Sequence, residues 1–215
     1  MKLQIKKEYR LISALCANIL IIILEVIALI LSLIEHGLEN FLFYTQDSNY
    51  LAMAASAFFC VYAMKELRGK SEMPKWVHSL RYISVSCLMV TFFVVVFVLM
   101  PMAGENSLFL LYGGSMLYQH TLCPLLASLS FFVFEVENKL QKNEVIKALI
   151  PTLIYALITI ILNICKVIEG PYIFLMVYSQ PWYMSVIWCI VILGIAGALA
   201  FAVRSLHNLI YKRKI

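Results

Sequence analysis

Six runs of apolar residues, each about 20 residues long, constrain this chain more than any other feature of its sequence. A helix needs about 20 residues to cross a hydrocarbon core of about 30 Å. We predict spans over residues 10–34, 44–64, 80–102, 112–134, 145–168 and 182–206. Each run is apolar on every face, whereas barrel strands alternate between apolar and polar positions. The prediction is an all-α, polytopic bundle of six transmembrane helices, with residues 1–215 as one integral membrane domain.

Composition excludes the soluble classes of protein. Of the 215 residues, 63% are apolar and 13% are charged, against about 45–50% and about 25% in soluble domains. The first run has about 24 apolar residues, longer than the 7–15 of a cleavable signal peptide, and no small-residue cleavage pattern follows it. We therefore expect it to stay in the protein as the first helix.

The basic residues predict an orientation in the membrane. All of the 17 lysines and arginines except Lys166 fall at helix ends on one side of the predicted bundle. Lysine and arginine are enriched in short cytoplasmic segments. With an even number of spans, both termini are predicted to be cytoplasmic. Lysine-rich and isoleucine-rich usage favours a bacterial cytoplasmic membrane.

Metal, cofactor and nucleic-acid chemistry find no support in the sequence. The six cysteines show no CxxC spacing and no histidine at metal-ligand spacing, so we expect neither a metal nor a cofactor. The basic residues are dispersed, and not interleaved with aromatic residues on one surface, which argues against nucleic acid. Membrane lipids are the expected partners, and no protein partner can be identified.

Polar residues open the second span, in the segment FYTQDSN at residues 43–49. Thr45 and Asn49 are four residues apart and share one helix face, with Ser48 beside them. Two interpretations are open: a packing stripe of small and hydroxyl side chains between helices, or part of a functional site.

The fourth span carries Gln119, His120 and Pro124. Proline cannot donate to the carbonyl of His120 four residues earlier, which predicts a kink beside a titratable ring. Gly113 and Gly114 precede this span. Their backbone N–H groups suit a carboxylate or an oxyanion, although two glycines are also typical of an ordinary flexible loop.

Three further polar residues fall within or beside the predicted spans. Glu25 has about the same predicted depth as His120, so it either pairs with His120 or stays protonated against another helix. Asn163 and Lys166 continue a polar stripe on the fifth span, where Lys166 either snorkels to the interface or holds an anionic group. We place the polar residues of these spans in the outer half of the bilayer, namely Thr45, Ser48, Asn49, His120, Glu25, Asn163 and Lys166. At 1.5 Å per residue, Thr45 is predicted about 8 Å nearer the outer surface than His120.

The segment Phe43-Tyr44-Thr45, followed by Ser48 and Asn49, and the pair His120 and Pro124 together resemble the androgen-induced-protein family. Its members are small six-helix membrane proteins, and its animal members hydrolyse fatty acid esters of hydroxy fatty acids. The resemblance implies the same six-helix fold and a membrane ester hydrolase. It also implies that Thr45 and His120 are the essential threonine and histidine of that family.

The leading hypothesis is an intramembrane lipid ester hydrolase acting on a fatty acyl ester, with Thr45 as nucleophile and His120 as general base. Substrate or oxyanion contacts are assigned to Ser48, Asn49, Gly113, Gly114, Gln119, Glu25, Asn163 and Lys166. Three alternatives stay open. They are a small-solute or proton-coupled carrier using Glu25, His120 and Lys166, acyl transfer with Cys123 as nucleophile, and a non-catalytic membrane protein.

Overall fold

The computed structural model describes residues 2–214, with side chains described for residues 7–213, and this part of the chain is helical without strands. Five long helices are α1 (Lys2–His36), α2 (Tyr44–Leu67), α3 (Lys75–Val94), α5 (Glu144–Ile164) and α6 (Trp182–Lys214), with α4 described below. A π-helical turn, Val95–Leu99, and a short turn, Met100–Met102, extend α3. All five helices are long and apolar enough to cross a membrane. The predicted all-helical class is confirmed.

The fourth predicted span is broken. A short arm, Gly104–Tyr112, meets a second helical segment, Leu117–Val133, at an angle of 77°. We call the second segment α4; it begins with a π-helical turn, Leu117–Leu122, and continues as an α-helix, Cys123–Val133. The bundle therefore has six spans if the bent pair counts as one.

The bend does not lie where the proline predicted it. Pro124 occupies the first turn of the regular part of α4, where a missing N–H costs least. A wider π-helical turn lies directly before it, where the proline ring would otherwise clash with the backbone of the preceding helical turn. The sharp change of direction falls instead at Gly113 and Gly114, and Gly114 has a φ of +48° that L side chains rarely adopt.

Both ends of the chain lie at one end of the bundle. Lys7 in α1 forms an ion pair of 2.7 Å with Glu66 in α2, and Lys7 lines the same surface pocket as Tyr211 in α6. We call this the termini end and the opposite end the distal end. Large apolar side chains cover the outside of the helices, as in α1 at Ile23 and Ile30 and in α5 at Ile154 and Ile158. Such a surface suits lipid.

A buried ion pair anchors the helices near the termini end. Arg81 in α3 donates to both carboxylate oxygens of Glu135, which follows α4, at 2.9 Å each. Asn18 and Ser130 also donate to Glu135, and Arg81 donates to Ser56. Burial by itself raises the pKa of Glu135, but the charge and hydrogen bonds of Arg81, with those of Asn18 and Ser130, hold the pKa below its ordinary value.

Candidate functional site

Two glutamines join α2 to α4 in the distal half of the bundle. The amides of Gln46 and Gln119 exchange two hydrogen bonds of 2.7 Å each. Gln46 also donates to Ser32 in α1 at 2.9 Å. Both glutamines are buried, so the reciprocal pair satisfies amides that lipid could not.

Asn49 strengthens the same junction. Its Nδ2 donates to the carbonyl of Thr45 at 2.7 Å and to the carbonyl of Gln119 at 3.3 Å. Thr45 directly precedes Gln46, and His120 directly follows Gln119. The two residues therefore lie at a similar depth, and the predicted offset of about 8 Å between them is not found.

Thr45 lies in the wall of an apolar cavity of about 170 Å³. Its hydroxyl is 3.5 Å from the hydroxyl of Tyr172, in the loop that follows α5. Apolar cavities of about 150 Å³ stay dry and bind small hydrocarbons. The cavity is therefore large enough for part of an acyl chain, with Thr45 at its edge.

The cavity runs between α2, α3, α5 and α6. Its apolar lining includes Val94, Leu157, Ile160, Phe174, Trp188 and Ile192, and its hydroxyl groups belong to Tyr44, Thr45, Thr91, Thr152, Tyr155 and Tyr172. Several of these hydroxyls bind each other or neighbouring groups. Tyr44 shares a hydrogen bond of 2.8 Å with Thr152, and Thr91 shares one of 2.7 Å with Ser48. Ser48 thus supports the cavity wall from behind.

His120 is held by the short arm. Its Nδ1–H donates to the carbonyl of Leu110 at 2.5 Å, and the next residue, Thr121, donates to the carbonyl of Leu111 at 2.8 Å. This contact leaves Nε2 as the ring nitrogen with a free lone pair. Among the described residues, no hydrogen bond joins His120 to Thr45, and His120 is not in the lining of the cavity.

A carboxylate of the same chain binds at Ser115, the residue directly after the glycine pair, and the Gly113 N–H donates to the carbonyl of Phe109 at 2.8 Å. The N–H of Ser115 donates to Glu35 Oε1 at 3.1 Å, and the Ser115 hydroxyl donates to Glu35 Oε2. This carboxylate belongs to α1 of the same chain, and its donors are the N–H and hydroxyl of Ser115. An oxyanion contact of Gly113 and Gly114 stays a prediction.

Glu25 does not meet His120 but lies against the thiol of Cys123. The Glu25 side chain is 1% exposed, and its Oε1 has no hydrogen-bond partner among the described residues. Because Glu25 and Cys123 do not line the Thr45 cavity, neither is placed to contact a substrate there.

Asn163 and Lys166 lie apart from the cavity, at the distal end of α5. The Asn163 side chain donates to the carbonyl of Ile168 at 2.9 Å and accepts from the N–H of Val177 at 2.9 Å, so it shapes the following loop. Lys166 is exposed, has a φ of +58°, and places its Nζ 5.3 Å from the ring of Tyr178. Neither residue lines the Thr45 cavity, and their substrate contacts stay predictions.

Sequence reasoning missed three residues that the structure places around Thr45 and His120. They are Gln46, which pairs with Gln119, Glu35, which binds Ser115, and Tyr172, which meets Thr45. Gln46 carried a usable signal, because an uncharged amide within an apolar span needs a partner. Tyr172 and Glu35 lie in loop or helix-end positions where polar residues are common, so nothing in their pattern marked them.

The arrangement contains a nucleophile candidate at an apolar cavity and an oriented imidazole at the same depth. No group of three or more metal-ligating side chains occurs in the described part of the chain. Comparisons of the chain with protein families, with curated proteins and with solved structures find no match.

Proposed function

We propose that this chain is a lipid ester hydrolase that works inside the membrane, with Thr45 as nucleophile and His120 as general base. The orientation proposed from the basic residues puts both termini in the cytoplasm and the distal end in the outer half of the bilayer. The resemblance to the androgen-induced-protein family supports the same assignment of Thr45 and His120. The observation that supports the proposal is the Gln46–Gln119 pair, which joins the helices of Thr45 and His120 at a similar depth, with Thr45 in the wall of an apolar cavity.

In this proposal the acyl chain of the substrate occupies the cavity and brings its ester carbonyl to the Thr45 hydroxyl. Attack by the Thr45 oxygen forms a tetrahedral intermediate, and loss of the alcohol leaves an acyl-threonine that water then hydrolyses. The apolar lining explains why the substrate class is lipid, since the wall offers hydroxyl groups but no charge.

The short arm has a defined part in the proposed chemistry. Because Nδ1 of His120 donates to the Leu110 carbonyl, Nε2 is the nitrogen that accepts the threonine proton and later returns it to the leaving alcohol. The Leu110 carbonyl thus orients the ring, as a carboxylate does in a serine hydrolase triad. No hydrogen bond joins Nε2 to Thr45, so the proposal requires one water molecule or the bound substrate to connect them.

Tyr172 is assigned the oxyanion contact in place of the glycine pair. Its hydroxyl lies 3.5 Å from Thr45 Oγ1 and from the Thr45 N–H. Burial raises the pKa of Tyr172 above its ordinary value of about 10. The phenol therefore keeps its proton at neutral pH, which suits an oxyanion donor and excludes Tyr172 as the general base.

A fluorophosphonate probe tests the threonine nucleophile. We expect the purified wild-type protein to be labelled, Thr45→Ala to lose all labelling, and His120→Ala to lose most of it. Ser128→Ala is the matched control, because its hydroxyl donates only to the Pro124 carbonyl within its own helix. Equal labelling of the wild type and Thr45→Ala would eliminate the proposed nucleophile, and loss confined to Cys123→Ala would indicate acyl transfer through that thiol.

A further inference from the structure

A second cavity of about 380 Å³ opens on the outside of the bundle, between α2 and α5 in the distal half. Tyr44 and Tyr155 line both this groove and the Thr45 cavity, and their rings meet edge to face at 5.2 Å. The two tyrosines therefore separate a lipid-facing groove from the interior cavity. Thr45 lines only the interior one.

Asp47 is the one charged residue in the lining of this groove. It lies in the first turn of α2 and is exposed. Within the part of the chain whose side chains are described, the Asp47 carboxylate has neither an ion pair nor a hydrogen bond, and only the Asp47 backbone N–H is bonded, to the carbonyl of Phe43. A carboxylate at the edge of the hydrocarbon region is costly unless a cation or water neutralises it, and such groups in spans usually mark a binding function.

The remainder of the groove is apolar and long. Ile150, Ile154, Ile158 and Leu162 line it at intervals of four residues along α5, a row of about 18 Å at 1.5 Å per residue. Leu51 of α2 faces this row from the other side. The row covers more than half of a hydrocarbon core of about 30 Å, so an extended acyl chain fits along it.

We propose that this groove binds one phospholipid with a primary amine headgroup, such as phosphatidylethanolamine, from the surrounding leaflet. The ammonium group donates to the Asp47 carboxylate, and one acyl chain lies along the isoleucine row of α5. A primary ammonium has three N–H donors for a charge-assisted hydrogen bond. A choline headgroup has none, and the net charge of an anionic headgroup opposes that of Asp47.

This inference does not rest on the proposed hydrolase function, because the groove and the Thr45 cavity have only Tyr44 and Tyr155 in common. Tyr44 and Tyr155 would be held in place by the bound lipid. The experiment that tests it therefore measures lipid binding and not ester cleavage.

Native mass spectrometry of the full-length chain measures binding of phosphatidylethanolamine, phosphatidylcholine and phosphatidylglycerol with identical acyl chains. We expect the wild type to bind phosphatidylethanolamine about tenfold more tightly than the other two, as one charge-assisted hydrogen bond allows. Asp47→Asn is expected to lose this preference. Glu39→Gln is the matched control, since Glu39 is another exposed acid of the distal end that does not line the groove.

A second variant locates the acyl chain. Ile154 is 51% exposed on the lipid-facing side of α5, so Ile154→Trp should fill the groove without disturbing the core, and it should weaken binding of all three lipids. Three results would overturn the proposal: equal affinity of the wild type for the three headgroups, an unchanged preference in Asp47→Asn, or lipid binding that Ile154→Trp leaves intact. A dimer that dissociates on Ile154→Trp would show instead that a second copy of the chain occupies the groove.

Discussion

Gly114 occupies a position beside the candidate site where a side chain does not fit. Its φ of +48° lies in the left-handed region, and an added Cβ would collide with the Glu35 carboxylate that binds Ser115. Gly194 in α6 offers the contrast, because no atom lies within 4 Å of the position a Cβ would take. A side chain is therefore excluded at Gly114 and accommodated at Gly194.

We expect Gly114→Ala to lower the free energy of unfolding by about 1–3 kcal/mol, through backbone strain and loss of the Glu35 contact. Gly194→Ala should leave it unchanged or raise it by up to about 1 kcal/mol, since alanine is the better helix former. Thermal unfolding of both variants in the same detergent measures the difference. An equal effect of the two substitutions would contradict the assigned conformation of Gly114.

Glu135 is a buried carboxylate whose charge is expected to contribute to stability. Its carboxylate accepts from Arg81, Asn18 and Ser130 while fully buried. Because the pKa of Glu135 is lowered in the folded state, its contribution to stability is complete above the ordinary carboxyl pKa of about 4.3 and is lost as the pH falls through the lower folded value.

Stability measured against pH is therefore expected to fall below about pH 4.3 in the wild type. Glu135→Gln should lower the free energy of unfolding at pH 7 by about 3–5 kcal/mol, because it leaves Arg81 buried without a counter-charge. It should also flatten the acid limb of the profile. A variant whose acid limb matches that of the wild type would show that other carboxyl groups cause the loss.

At the scale of the helices, the hydrogen bonds between Gln46 of α2 and Gln119 of α4 bring Thr45 and His120 to a similar depth in the bundle. Gln46 and Gln119 each satisfy the amide of the other. Loss of Gln46 leaves the Gln119 amide unpaired, and loss of Gln119 leaves the Gln46 amide with Ser32 as its remaining partner. The short arm adds a second constraint, because Leu110 and Leu111 accept from His120 and Thr121. Depth and ring orientation are thus set by separate contacts.

A double-mutant cycle tests the junction. Gln46→Leu and Gln119→Leu should each lower the free energy of unfolding by about 1–3 kcal/mol, while the double variant should lose clearly less than their sum. Unfolding in detergent with added denaturant provides the three values. Strict additivity would mean that the two amides do not depend on each other.

For the whole molecule, the termini end and the distal end are opposite ends of a bundle whose long helices could cross a membrane. Cys165 is an exposed thiol just after α5 at the distal end, and Lys70 lies in the exposed turn between α2 and α3 at the termini end. These two positions report orientation, whichever function the protein has.

If the termini are cytoplasmic, an impermeant maleimide added to intact cells should label Cys165, and Cys165→Ser should remove that labelling. A cysteine placed at Lys70 in the Cys165→Ser background should react only after the membrane is permeabilised. The reverse pattern would contradict the orientation predicted from the basic residues.

The candidate site was predicted from two kinds of observation. His120 stood out because an imidazole is costly inside an apolar span, and Thr45 stood out because it lies in a polar segment that, with His120, resembles the androgen-induced-protein family. Their partners could not be predicted in the same way. Glu35 and Tyr172 contact Ser115 and Thr45 across 80 and 127 residues of sequence, and no local pattern encodes contacts of that range. Arg81 was interpreted as one of the basic residues at a helix end, yet it is fully buried against Glu135.

The sequence by itself determined the helical class and the spacing of the membrane-length segments, because backbone groups in lipid must be paired within a helix and the apolar runs have the length of the hydrocarbon core. Only the tertiary structure decided the bend at Gly114, the depth shared by Thr45 and His120, and the binding of Glu35 to Ser115 beside the glycine pair. Those features depend on hydrogen bonds between side chains of different helices, and which helices become neighbours follows from packing of the whole bundle.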